Sequence, residues 1–145
     1  MDPLHISFDD ICLVGEYVTP DGPFADDWFL LLGDRAGSVI DVSSESELWE
    51  QVRTELRLRG IPCNLELHNK VEIENVVHYP PSLQGRELFL YTPLPAQGIA
   101  GKLQALFHIK PSWYERTMAP WVVAYLQREG IPDWQRWQSY YKENP

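Results

Sequence analysis

The first 34 residues of this 145-residue chain contain no lysine and no arginine, yet they hold eight carboxylates: Asp2, Asp9, Asp10, Glu16, Asp21, Asp26, Asp27 and Asp34. The remainder is nearly balanced, with 13 acids against 12 bases, so almost all of the formal net charge of −9 belongs to the first quarter. Such a surface repels nucleic-acid phosphate and anionic lipid heads, and the expected partners include neither nucleic acid nor membrane. A basic protein patch is the natural counterpart. The start, "MDPLHISFDD", lacks a basic leader and a long apolar run, which points to the cytoplasm rather than to secretion or membrane insertion.

Cysteine is also scarce. Cys12 and Cys63 are the only two, too few for a disulfide framework or a four-thiolate zinc site. The histidines His5, His68, His78 and His108 are scattered, and no two stand three to five residues apart as a zinc pair on one helix would. His68 and His78 could meet across a hairpin beside Glu66, Glu72 or Glu74, but the pattern is better read as a solvated sheet face. A Cys63–His68 nucleophile pair lacks a third, orienting group. The run "AQGIAGKL" (96–103) carries Gly101 and Lys102 of a phosphate loop, but Ala96 stands at the first glycine position and Leu103 replaces the magnesium-binding hydroxyl. No cofactor and no metal is expected.

What is present reads as an α+β chain. "ICLVGEYV" (11–18), "WFLLL" (28–32) and "SVIDV" (38–42) are three strands of an antiparallel meander, with a long first loop, "TPDGPFADD", and a tight second one. The unbroken apolar run of "WFLLL" suits a strand covered on both faces, with Asp26, Asp27 and Asp34 as charged brackets. Ser44 and Glu47 have capping-box spacing ahead of a helix whose stripe is Leu48, Trp49, Val52 and Leu56.

That helix ends in "LRLRGIP" (56–62), and "LQREGIP" (126–132) closes a later one in the same way. In each, a glycine in the left-handed conformation would bring Leu56 to Ile61, or Leu126 to Ile131, as a Schellman cap does, with the proline barring continuation. The segments upstream share no register, so the likeness reflects helix-stop physics rather than duplication.

Between the two stops, "NLELHNKVEIENVVHY" and "ELFLYT" predict three further strands. From residue 97 the period becomes helical: Ile99, Leu103, Leu106 and Phe107 form one stripe, Ser112 and Glu115 repeat the capping-box spacing, Pro120 opens a further helix, and Trp134, Trp137 and Tyr141 line the last. The reading is one α+β domain over 1–145, with an antiparallel βββα-βββ sheet and central helix in 1–93 and short helices in 97–145.

No spacing specifies a reaction, and the sequence points to binding more than to catalysis. The candidate partner-binding residues are Asp21, Phe24, Asp26 and Asp27 in the long first loop, together with Asp9 and Asp10. An aromatic among carboxylates supplies an anchor with a charged rim for a basic protein, in the way inhibitor or immunity proteins neutralise a toxin. The alternative is a small enzyme or ligand-binding protein whose small-molecule pocket is walled by Trp113, Tyr114, Trp121, Tyr125, Trp134, Trp137, Tyr140 and Tyr141.

Overall fold

Strand formers fill β1 (Ile11–Val18), and all eight of its residues are buried. In the computed structural model, which describes residues 5–18, 28–63, 75–94, 102–103, 106–107 and 113–137, this strand lies inside a four-stranded sheet. Its neighbours are β2 (Trp28–Asp34) and β4 (Asn75–Tyr79), both antiparallel, and β3 (Val39–Ser43) lies beyond β2. The apolar run of β2 is covered on both faces, as its composition requires. Leu30 and Leu32 join Val14 and Val42 beneath helix α1 (Trp49–Leu58), while Leu31 joins Leu13, Tyr17 and Val77 on the opposite face.

That opposite face is covered by helix α2 (Pro120–Arg128), by Leu88 and by the inner end of a second sheet, formed by β5 (Phe89–Leu94) and β6 (Trp113–Met118). The fold is α+β, and its strands are divided between two sheets. Pro120 occupies the first turn of α2, where its missing N–H costs nothing. Trp137, fully buried, donates its indole N–H to the Gly37 carbonyl at 2.8 Å and packs over Gly33. A short helical turn over 135–137 thereby closes the sheet's far corner.

Both helix stops have the bonds their sequences imply. Gly60 (φ +68°) and Gly130 (φ +67°) are left-handed, and Ile61 N–H and Ile131 N–H each reach back 3.0 Å to Leu56 and Leu126 carbonyls. The entry to α1 differs from expectation. No side chain caps it, because Ser44 still donates its N–H to Trp28 at the end of the sheet ladder. Ser43 and Ser46 instead accept from Glu45 N–H and Leu48 N–H, two local turns that delay the helix to Trp49.

The second capping box also fails. Residues 113–118 form a strand rather than a helix, and Arg116 and Met118, two apart, are buried while Thr117 between them is half exposed. Helical geometry before it is described at Lys102, Leu103 and Leu106, but Leu103, Leu106 and Phe107 stand exposed instead of forming a core stripe. The expected hairpin around "HNK" and Tyr141 of the last aromatic face lie outside the described residues.

Candidate functional site

The long acidic loop joins Val18 to Trp28, which face each other across the β1–β2 ladder. Its candidate residues Asp21, Phe24, Asp26 and Asp27 lie outside the described residues, but the walls at its roots are clear. Tyr17 stacks on Phe29 with ring centroids 5.1 Å apart and meets Phe89 edge-on at 5.5 Å. Arg116, 8% exposed, holds its guanidinium over both the Tyr17 ring (5.1 Å) and the Phe89 ring (4.7 Å). Cation–π contacts of a desolvated arginine are worth about 2 kcal/mol each; the one with Tyr17 fastens β6 to the main sheet, and the one with Phe89 braces it against β5. The Tyr17 hydroxyl is pushed well above its ordinary range, by burial first and by Asp41 second, so Tyr17 remains a neutral wall residue.

On the opposite face of β1 lies a buried polar group that sequence reasoning did not single out. Glu16 is fully buried, accepting from the Trp28 indole N–H at 2.7 Å and pairing with His78 Nε2 at 2.8 Å. His78 is itself 2% exposed. Glu16 counts toward the acidic excess of the sequence, but it contributes internal structure rather than surface charge. Asp34 is withdrawn in the same way: one of its oxygens accepts from Ala36 N–H and Ser38 N–H, both at 3.0 Å, and the other from Ser7 N–H at 3.1 Å. It organises the β2–β3 turn rather than standing guard over β2. No sequence signal marks either burial, except that both acids fall inside apolar strands.

Asp9 and Asp10 are exposed on a 3₁₀ turn, Phe8–Asp10, that precedes β1. Asp9 pairs with Arg59 Nε at 2.8 Å, and Asp10 accepts from the Ser7 hydroxyl at 2.9 Å. This turn adjoins the opposite end of β1 from the acidic loop. Eight strand residues lie between, a length of about 25 Å. The candidates thus fall into two groups, with Asp9 and Asp10 apart from the loop.

Burial pushes the Cys12 thiol up to about 12 and the Cys63 thiol up to about 11, the latter aided by the charge of Glu16. Both thiols are therefore protonated at neutral pH, the wrong state for a nucleophile. His68 lies outside the described residues, and the Nε2 of His78 is taken by Glu16. Among the described residues, no group of three or more His, Cys, Asp or Glu could hold a metal ion, and no helix is long and apolar enough to cross a membrane.

The C-terminal aromatics that are described serve the core. Tyr125 donates its hydroxyl to the Cys12 carbonyl at 2.9 Å, and Trp121 donates its indole N–H to the Glu87 carbonyl at 2.6 Å while stacking under Arg86. Trp134 packs half-buried against the same cluster as Trp137. Each polar atom that could have oriented a ligand in Trp121, Tyr125 and Trp137 is spent on a backbone carbonyl. No protein-family model matches the chain, and comparison with curated proteins and with solved structures finds no match.

Proposed function

We propose that this chain is a cytoplasmic, non-enzymatic protein-binding module that meets a basic protein partner through the acidic loop between Val18 and Trp28. Nucleic acid and membrane surface are not its targets on this reading, because the charge it presents has their sign. The observation that carries it is the fate of the carboxylates in residues 1–34. Glu16 and Asp34 are spent inside the fold and Asp9 is paired with Arg59; of the five carboxylates that remain, Asp21, Asp26 and Asp27 share one loop and carry the steering charge. Phe24, between Pro23 and Ala25 in the same loop, supplies the apolar anchor. The competing pocket reading is weakened by the aromatics that fasten α2 and the 131–137 segment to the sheet.

Binding kinetics against a partner captured from native lysate test the proposal. Replacing Asp21, Asp26 and Asp27 together by Asn slows association, about tenfold at low salt, and flattens its dependence on ionic strength. Phe24→Ala accelerates dissociation, at a cost of about 2 kcal/mol. Asp9→Asn and Asp10→Asn leave both rates near wild type. Rates unchanged by the loop variants at every salt concentration would reduce the acidic loop to a solubilising surface.

A further inference from the structure

The exit of α1 is cationic within an anionic chain. Residues 51–63 hold Arg53, Arg57 and Arg59 against one acid, Glu55. Arg59 is turned toward Asp9 and Glu55 and is spent there. Arg53 and Arg57 stand one helical turn apart on a common face, with Cβ atoms separated by about 6 Å. Beyond the left-handed Gly60 the chain comes back beside that face, so that Arg53, Arg57, Gly60, Ile61, Pro62 and Cys63 together line a cleft of about 260 Å³. A Cβ added to Gly60 would meet nothing within 4 Å, which leaves the space at the turn open.

The helix stop does not itself require the two arginines. α2 is closed by the same bonds around Gly130, and in the positions that Arg53, Arg57 and Cys63 occupy relative to Gly60 it carries Val123, Gln127 and Asp133. Nor are the guanidinium groups consumed by the fold. Arg57 has no side-chain hydrogen bond or ion pair among the described residues. Arg53 meets Glu50 at 3.0 Å, a carboxylate 73% exposed and therefore a weak, solvent-screened partner. Glu16, the buried acid whose charge reaches Cys63, is already engaged by Trp28 and His78.

We propose that this cleft binds a small phosphomonoester, with the guanidinium groups of Arg53 and Arg57 forking its phosphate and with Ile61 and Pro62 packed against its carbon body. A phosphomonoester carries about two negative charges at neutral pH and three terminal oxygens, enough to answer two guanidinium forks, whereas a single carboxylate answers one. The cleft is slightly smaller than the range of about 300–1,000 Å³ usual for drug-sized ligands, which restricts the occupant to a small molecule. The site stands apart from the acidic-loop reading and does not depend on it.

Calorimetric titration of the full chain with phenyl phosphate tests the proposal, with benzoate as the matched carboxylate. Cys63 supplies a second reading: a ligand in the cleft shields a thiol that lines it, so alkylation by iodoacetamide at mildly alkaline pH, followed by mass spectrometry, locates the binding. The expected result is saturable one-site binding of phenyl phosphate, about tenfold tighter than benzoate. Arg53→Gln and Arg57→Gln each weaken it about tenfold with the thermal midpoint unchanged, and Arg57→Lys, which keeps the charge but loses the fork, falls between. Arg128→Gln, at the exit of α2, binds as wild type. Phenyl phosphate slows the labelling of Cys63 in the wild-type chain and not in the Arg53→Gln, Arg57→Gln double variant.

Absence of saturable binding, wild-type affinity in both single Gln variants, or an equal loss in Arg128→Gln overturns the site. Binding that leaves the labelling rate of Cys63 unchanged places the ligand elsewhere and does the same. Benzoate bound as tightly as phenyl phosphate, and lost in the Gln variants, overturns the phosphomonoester in favour of a carboxylate.

Discussion

Gly33 and Gly60 need to be glycine for different reasons, and the difference is measurable. A Cβ on Gly33 would run into the indole of Trp137, a ring wedged in the core and tied to Gly37, so it cannot yield cheaply. Gly33→Ala is expected to lower stability by about 2–3 kcal/mol in urea titration, with the Trp137 fluorescence altered in the folded state. A Cβ on Gly60 meets nothing within 4 Å, and its only cost is the left-handed backbone. The thiols make a second residue-scale prediction. Their folded values near 11 and 12 exceed the ordinary 9.0, so the unfolded chain releases their protons first as pH rises. Their contribution is fully present below pH 9 and is lost as pH climbs through 11 and 12. Urea midpoints should therefore fall in that window, and iodoacetamide should label Cys63 slowly at pH 7.5; fast labelling at neutral pH would show that the thiolate is populated.

At the level of elements, the two helix stops were readable and the strand β6 was not. A Schellman cap is closed by residues five apart in sequence, so leucine, glycine, isoleucine and proline at fixed offsets carry nearly all the information. Gly60→Ala and Gly130→Ala should each cost about 1 kcal/mol, and an unchanged denaturation midpoint for either would mean that its αL strain is relieved elsewhere. The strand at 113–118 depends on pairing with β5, more than twenty residues away along the chain for most of its length, and Ser112 and Glu115 offer a locally attractive helical alternative. Ser44 misled in a similar way, since what decides its role is the bond to Trp28 and not its spacing from Glu47. The candidate site rests on charge asymmetry, and its loop residues lie outside those described. Charge asymmetry singles out the acidic loop, but nothing local separates Asp9 and Asp10, on the near side of an eight-residue strand, from Asp21 on the far side. Nor does composition reveal that Glu16 faces Trp28 and His78, a meeting of three strands.

For the whole molecule, the two ends of the main sheet have different characters. At one, the β2–β3 turn is bound by Ser7 through Asp34, by Trp137 through Gly37 and by Glu129 through Arg35, so segments from the beginning and the end of the chain converge on it. At the other, the β1–β2 ladder ends at the Val18–Trp28 pair, the two residues that the acidic loop joins. On the proposed function, recognition falls at the pole opposite this knotted turn, so that changes at one need not disturb the other. The knotted turn also offers a practical handle. Ala36 is exposed there, while Cys12 is fully buried and Cys63 has a thiol held in its unreactive form. A cysteine introduced in place of Ala36 would give maleimide chemistry one preferred target, tethering every molecule to a sensor surface through the turn at the opposite end of the β1–β2 ladder from the Val18–Trp28 pair.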